Sequence, residues 1–330
     1  MNYNVVKSLR RIATAAAIPF AICMALAATS YSQSYKFKTI DVPGATNTFA
    51  MGINNAGQIV GYYSYPPKDP NGHEAENVFV LSGGNFSTFG YPGSYYTAGY
   101  GINNSGQIVG TCEVEFYGTF GTCQDFYGVV EGWVDADGSF TTVSFPGAIA
   151  NATSANGIND SGQVVGQYEL PSGNLYGYLL SAGSYTTVSP TGATGSGAQG
   201  INNAGHIVGS DCSGSCNQVS GFLESGGNFT TIAVPGAVRT YAIGINNSDD
   251  VVGQYANNVS GPFQAFLWSD GQFELLSDPH GAARTSAAGI NDAGQIVGFY
   301  VDAKGVSHGF VATPVKGAAT VTLTSTPNPS

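Results

Sequence analysis

Apolar side chains in this chain gather in short segments separated by Gly, Pro and Asx residues, and the same four segments return along its length. The first is aromatic and aliphatic: Val78-Phe79-Val80-Leu81, Gly177-Tyr178-Leu179-Leu180 and Ala265-Phe266-Leu267-Trp268 are copies. The second, as in Phe86-Ser87-Thr88-Phe89 and Phe229-Thr230-Thr231-Ile232, runs to a Pro-Gly pair at Pro43-Gly44, Pro92-Gly93, Pro146-Gly147 and Pro235-Gly236. Proline presets the first turn angle and glycine takes the positive one, so a type II turn is expected there. The third segment runs into Gly-Ile-Asn and the fourth is Gln-Ile-Val-Gly-Tyr, with Asn-Asn-Ala-Gly or a near copy between them. Runs this short, rich in aromatic and β-branched residues, predict strands, and the Asx-Gly pieces predict hairpin turns.

Small residues precede each Gly-Ile-Asn by two positions: Ala50, Gly99, Ala155, Ala198, Ala242 and Ala287. With strict alternation this residue, the glycine and the asparagine share one face, kept thin for a neighbouring sheet, and the isoleucine faces the other way. In the fourth segment Ile59 and Val60 are adjacent, so both faces are apolar, as in sheets buried on both sides. Asn54, Asn55 and Gly57 are expected to close the hairpin. Asn159-Asp160 and Asn291-Asp292 are read as turns rather than a calcium site, because only two copies carry the aspartate.

The glycines of the core lie at 52, 101, 157, 200, 244 and 289, at intervals of 49, 56, 43, 44 and 45 residues. A period near 45 indicates a propeller or a solenoid. The ends decide between them. The N-terminal copy starts at its second segment, Tyr35 to Pro43, and the C-terminus supplies a spare first segment, His308-Gly309-Phe310-Val311. A solenoid would carry two unlike caps, whereas complementary ends indicate a ring. The expected fold is all-β: a six-bladed β-propeller of four-stranded blades over residues 34–317, closed by pairing of the N- and C-terminal strands.

This pattern resembles the bacterial HAF-type extracellular repeat family, with its His-Ala-Phe-Leu start and Gly-Ile-Asn-x-x-Gly-x-Val-Val-Gly core. The start stands here as Gln264-Ala265-Phe266-Leu267 and His308-Gly309-Phe310-Val311, and the core at all six glycines above, over roughly residues 35–315. The resemblance implies secretion and a β-rich repeat fold, and no established activity.

Composition and charge narrow the partners. Residues 1–33 read as a secretory signal: Lys7, Arg10 and Arg11, then an apolar run from Ile12 to Ala28, too short to span a membrane as an anchor. Two cleavage sites fit, Ala25-Leu26-Ala27 and Ser30-Tyr31-Ser32. The expected location is extracellular, with the periplasm or cell surface as alternatives and no membrane insertion after cleavage. Removal takes three of the ten basic residues and none of the 21 acidic ones, leaving a net charge of −14. Such a surface repels phosphate backbones, which excludes nucleic acid as a partner. Residues 318–330 read as an extended linker or the start of an Ig-like module. An even set of cysteines in an exported chain predicts local disulfides, Cys112–Cys123 and Cys212–Cys216; their spacing fits no common zinc motif, and no metal or cofactor is expected.

Repeated residues are accounted for by turns and packing, so function is sought in what does not repeat. Two connections are long and unlike the others, Tyr62–Glu76 and Thr111–Tyr127. Their Tyr63, Tyr65, Glu113, Glu115, Tyr117, Phe120 and Asp125 are the candidate ligand-binding residues, an aromatic and acidic patch suited to a sugar ring. Glu113 and Glu115 lie about 7 Å apart on an extended strand, a spacing any Glu-x-Glu meets. There is no Gly-x-Ser-x-Gly, and His73, His206, His280 and His308 lie in different repeats. The expectation is a monomeric, non-catalytic secreted protein that binds an extracellular glycan or cell-surface component. A structural or adhesive repeat with a protein partner is the alternative, followed by a polysaccharide-cleaving enzyme.

Overall fold

A computed structural model describes residues 34–68, 74–113, 131–149, 152–281 and 283–315. Every regular element among them is a β-strand. After β1 (Tyr35–Ile40), the first set is β2 (Asn47–Ile53), β3 (Ile59–Lys68), β4 (Glu74–Ser82) and β5 (Asn85–Phe89). The second set is β6 (Tyr96–Ile102), β7 (Ile108–Glu113), β8 (Glu131–Ala136) and β9 (Ser139–Val143). The third is β10 (Thr153–Ile158), β11 (Val164–Glu169), β12 (Leu175–Ser181) and β13 (Ser184–Val188). The fourth is β14 (Gly195–Ile201), β15 (Ile207–Cys212), β16 (Val219–Ser225) and β17 (Asn228–Ile232). The fifth is β18 (Arg239–Ile245), β19 (Val251–Ala256), β20 (Gln264–Ser269) and β21 (Gln272–Leu276), and the last is β22 (Arg284–Ile290), β23 (Ile296–Val301) and β24 (Ser307–Pro314).

Within each set, consecutive strands pair antiparallel, and single parallel bridges such as Glu76–Tyr96 join some neighbouring sets. The last set takes its fourth strand from the other end of the chain: β1 pairs with β24 from Tyr35–Pro314 to Ile40–Gly309. The phase of these sheets corrects the order of segments expected from the sequence. The Gly-Ile-Asn strand opens each sheet rather than standing third, because the Pro-Gly turn carries the chain from one sheet to the next. In that turn Gly44, Gly93, Gly147 and Gly236 have φ of 80° to 90°, and the N–H after each donates to the carbonyl three residues back, as a type II turn requires.

A second correction concerns alternation. A register shift between Ala50 and Gly52 leaves Met51 unpaired, and the same bulge recurs in every Gly-Ile-Asn strand. A bulge inverts the pleat, so Ala50 and Gly52 face opposite ways. Ala50 packs with Ile53, Ile40 and Val297, toward the preceding set. Gly52 faces the following one, where a Cβ would lie 2.6 Å from the Tyr100 carbonyl oxygen and 3.3 Å from the Gly101 Cα. Any side chain there would push adjacent sheets apart.

The cores lie between the sheets. One cluster joins Val60 and Val78 of the first set to Ile102, Ile108 and Trp133 of the second. Each set buries one aromatic at the same strand position: Phe79, Trp133, Tyr178, Phe222, Phe266 and Phe310 are all at most 1% exposed. Burial of each such ring contributes about 1.5–3 kcal/mol.

The asparagine of Gly-Ile-Asn locks the sets together. Asn54 Oδ1 accepts the N–H groups of Ala56 and Gln58, closing its own turn as expected, while its Nδ2 donates to Gln58 Oε1 and to the carbonyl of Asn103 in the next set. The same cross-sheet bond runs from Asn103 to Asn159, Asn202, Asn246 and Asn291, and from Asn291 back to Asn54, at 3.0–3.4 Å. The six bonds therefore form a cycle.

Two departures from the repeat compensate one another. His206 replaces the usual Gln in the fourth copy, and Asp249, at φ 63°, replaces the usual Gly in the fifth. Asn202 Nδ2 donates instead to Asp249 Oδ1 at 2.8 Å, and His206 Nδ1 lies 2.8 Å from the same oxygen. His206→Gln and Asp249→Gly should therefore be non-additive. The double variant, which returns both of these positions to the repeat, is expected to be more stable in urea unfolding than the summed single changes by about 1 kcal/mol; additive values would mean that the substitutions are independent.

Candidate functional site

Residues from all six sets surround one central space. At the hairpin-turn end it is narrow, about 60 Å³, and lined by the Ile-Asn-Asn or Ile-Asn-Asp of each copy. Here the second Asx makes its own cycle. The N–H of Asn55 donates to Asn104 Oδ1, that of Asn104 to Asp160, and so on through Asn203, Asn247 and Asp292 back to Asn55, at 2.8–2.9 Å. The two aspartates stand three places apart in the cycle. Asp160 Oδ2 accepts Nδ2 of Asn104 and Asn203, and Asp292 Oδ2 accepts Nδ2 of Asn55 and Asn247. They serve as acceptors for four carboxamides, a role beyond the simple turn expected from the sequence.

Burial raises the Asp160 pKa, but the Asn104 N–H and the carboxamides of Asn104 and Asn203 outweigh it and hold the carboxyl below 3.8. A depressed folded pKa means stability that is full above the unfolded value and is lost as pH falls toward and through the folded one. Urea midpoints measured at about pH 5 and about pH 3 should show a larger acid loss in the wild type than in Asp160→Asn. Equal losses would show that Asp160 contributes nothing to acid sensitivity.

Toward the other end the space opens into a cup of about 640 Å³. Its floor is the bulge residue of each set: Met51, Tyr100, Asn156, Gln199, Ile243 and Ala288. Its wall is built by Glu76, Tyr96, Ala98, Thr111, Ser154 and Gln167, from the first three sets. Asn156 is aimed by donating Nδ2 to the Ala198 carbonyl at 3.0 Å, and Thr111 Oγ1 donates to the Tyr100 hydroxyl at 3.3 Å. Ser64 Oγ donates to Glu76 Oε1 at 3.4 Å. Among the described residues the lining thus presents carboxamides, hydroxyls, two tyrosine rings and a single carboxylate.

Beside the cup the centre is filled. Phe49 stacks on Tyr62 at 4.7 Å and meets Phe299 edge-on at 5.0 Å, and Tyr62 meets Tyr100 at 6.2 Å. Arg284 lies between Phe263 and Phe299, 5.1 and 4.9 Å from the ring centroids, and donates Nη2 to Gln254 Oε1 at 2.7 Å. Burial lowers the Arg284 pKa, opposed by Tyr62. Burial first, then Tyr100 and Glu76, drives the Tyr62 hydroxyl far above its ordinary value against the pull of Arg284, so it is a fixed neutral wall.

The residues singled out from the sequence fare unequally. Tyr63 packs on the core of Ile40, Ala50 and Phe79, with its ring 5.5 Å from Tyr65. Tyr65 accepts a bond from Asn77 Nδ2 at 3.1 Å. Neither is in the cup lining. The Glu113 backbone pairs with Tyr96, and its side chain lies outside the described structure, as do Glu115, Tyr117, Phe120, Cys123 and Asp125. Cys112, which touches the cup, is disulfide-bonded, and Cys212–Cys216 is a disulfide with Cα atoms 4.9 Å apart. His280 and His308, from different repeats, both meet Tyr300, at 6.0 and 5.1 Å, with His308 Nδ1 2.9 Å from Asp41 Oδ1. Sequence reasoning missed Tyr100, Asn156 and Gln199. Their signal was there: the position between the small residue and the glycine is the one that varies within an otherwise constant motif.

No family model matches the sequence, and no curated protein matches it. Solved structures do. A protein of unknown function from Dyadobacter fermentans superposes with a TM-score of 0.53 at 10% identity, over 86% of this chain and 100% of that one. The fungal lectin of Aleuria aurantia, described as a six-bladed β-propeller with fucose recognition, gives 0.46 at 13% identity over 86% and 100%. The β-propeller domain of the Trilobed protease from Pyrococcus furiosus gives 0.45 at 10% identity over 81% and 94%. These likenesses concern the fold.

Proposed function

We propose that this chain is a closed, six-bladed β-propeller of four-stranded blades that is exported, acts as a monomer without catalysis, and binds an extracellular glycan. Closure is supported by the β1–β24 pairing and by the cycle of asparagine bonds that returns to Asn54. Membership of the HAF-type repeat family rests on the six Gly-Ile-Asn cores. Export rests on the basic and apolar N-terminus, with Cys212–Cys216 in keeping with an oxidising compartment.

The observation that carries glycan binding is the lining of the cup. Carboxamides donate and accept at once, hydroxyls do the same, and tyrosine faces take the C–H side of a sugar ring, so the set matches a polyol. Hydrolysis of a glycosidic bond needs two carboxylates, and the described lining offers Glu76 alone. The binding face is the end at which the long connections 62–76 and 111–127 emerge.

A depletion assay tests this reading. The purified protein is mixed with a panel of insoluble polysaccharides and cell-wall preparations, and the protein left in solution is quantified. Selective loss onto one glycan is expected, weakened about tenfold by Gln167→Ala, the cost of about 1.4 kcal/mol for lost hydrogen bonds. Loss onto none would sink glycan binding in favour of a protein partner or a structural role. Release of soluble sugar would sink the non-catalytic assignment.

A further inference from the structure

The cup is off-centre, and one repeat position explains why. Three residues before the glycine, the six sets carry Phe49, Ala98, Ser154, Gly197, Tyr241 and Ser286. Each is paired across its hairpin with a residue on the same face: Tyr62, Thr111, Gln167, Ser210, Gln254 and Phe299. In the first, fifth and sixth sets at least one member is aromatic, and those rings, with Phe263 and Arg284, fill that half of the centre. In the second, third and fourth sets neither member is aromatic. At Gly197 a Cβ would lie 2.8 Å from Gln167 Oε1 and 3.4 Å from Gln199 Nε2, so these two amides occupy the space that a larger residue would take.

Building on the glycan-binding reading, we infer that this half-cup is a single subsite for one neutral pyranoside per chain, opened by the small residues Ala98 and Ser154 of the second and third sets, with Gly197 of the fourth admitting the two amides. Stoichiometry follows from the asymmetry: the run of three sets without an aromatic at this pair occurs once around the centre. Neutrality follows from the lining. Among the described residues its hydrogen-bonding groups include Asn156, Gln199, Gln167, Thr111 and Ser154, and the one charge, Glu76, repels a uronate carboxylate. Arg284, the cation of the neighbouring half, is not in the lining and is held by Gln254 between two phenylalanine rings. Ala98 and Ser154 set the selectivity, because they decide how much room the wall leaves. At about 640 Å³ the cup falls within the usual size of ligand clefts, ~300–1,000 Å³.

The test is titration calorimetry with the methyl pyranosides of glucose, galactose, mannose, fucose and xylose, and with glucuronate and galacturonate. Ala98→Phe copies Phe49 into the second set, and Ser154→Phe does the same in the third. The expected result is about one site per chain for at least one neutral pyranoside, binding at least tenfold weaker for the uronates, and loss of binding in both variants while they remain folded. If one variant fails to fold, the other, the stoichiometry and the uronate comparison still decide. Several sites per chain, a preference for uronate, or folded variants that bind like the wild type would overturn the inference and leave glycan binding standing. So would a protein that is depleted by an insoluble polysaccharide yet binds none of the neutral pyranosides. Failure of both assays would retire the broader reading as well.

Discussion

One side chain per repeat, the asparagine of Gly-Ile-Asn, does the work on which the rest depends. Its oxygen closes the hairpin by accepting two backbone N–H groups, and its amide nitrogen reaches the carbonyl of the equivalent asparagine in the next sheet. Each of these residues is at most 5% exposed, so losing the side chain would strand backbone groups away from water. No other residue of that size offers an acceptor and two donors in one plane, which is why the position never varies. The bond also dictates its neighbours. Adjacent strands must approach within reach of it, and the preceding glycine, with the carbonyl of the next set 2.6 Å from where a Cβ would stand at Gly52, leaves room for nothing larger.

With so much of the motif committed to shape, chemical variety is confined to positions the clasp does not touch. The bulge residue is one, since it is unpaired and stands free of both packed faces. The residue two before it is another. These are the positions at which Tyr100, Asn156, Gln199 and Ser154 form the cup while Phe49 and Tyr241 close the opposite side. A near-symmetric scaffold thus carries an asymmetric site, and the departures at His206 and Asp249 show the same economy, two substitutions bonded to one another through the Asp249 carboxylate.

Much of this was legible in the sequence, because it is local. Strand identities, the Pro-Gly turn, the Asx hairpin and the complementary chain ends are set by residues within a few positions of each other, and the β1–β24 pairing follows the split first and second segments. What could not be read depends on backbone register and on contacts between repeats. The bulge at Met51 breaks the strict alternation that placed Ala50 and Gly52 on one face, and nothing in the residue itself announces it. Asn54 looked like a turn residue and is one; its second bond points into another sheet. Cup residues were invisible singly, since Gln167 and Asn156 acquire meaning only where three sets converge. Tyr63 was chosen for its connection, yet its ring rests on the core beneath.

The central proposal, that the repeats form a closed ring through which stability is shared, is tested most directly by hydrogen exchange. Sheets joined at both ends open only together, so protection should be uniform around a ring and graded along an open array. The account predicts that amides of Lys36 and Lys38 in β1 and Val311 and Thr313 in β24, which face one another across the closing pair, exchange as slowly as those of β22 and β23. Rapid exchange confined to β1 and β24, with the other sheets protected, would contradict it.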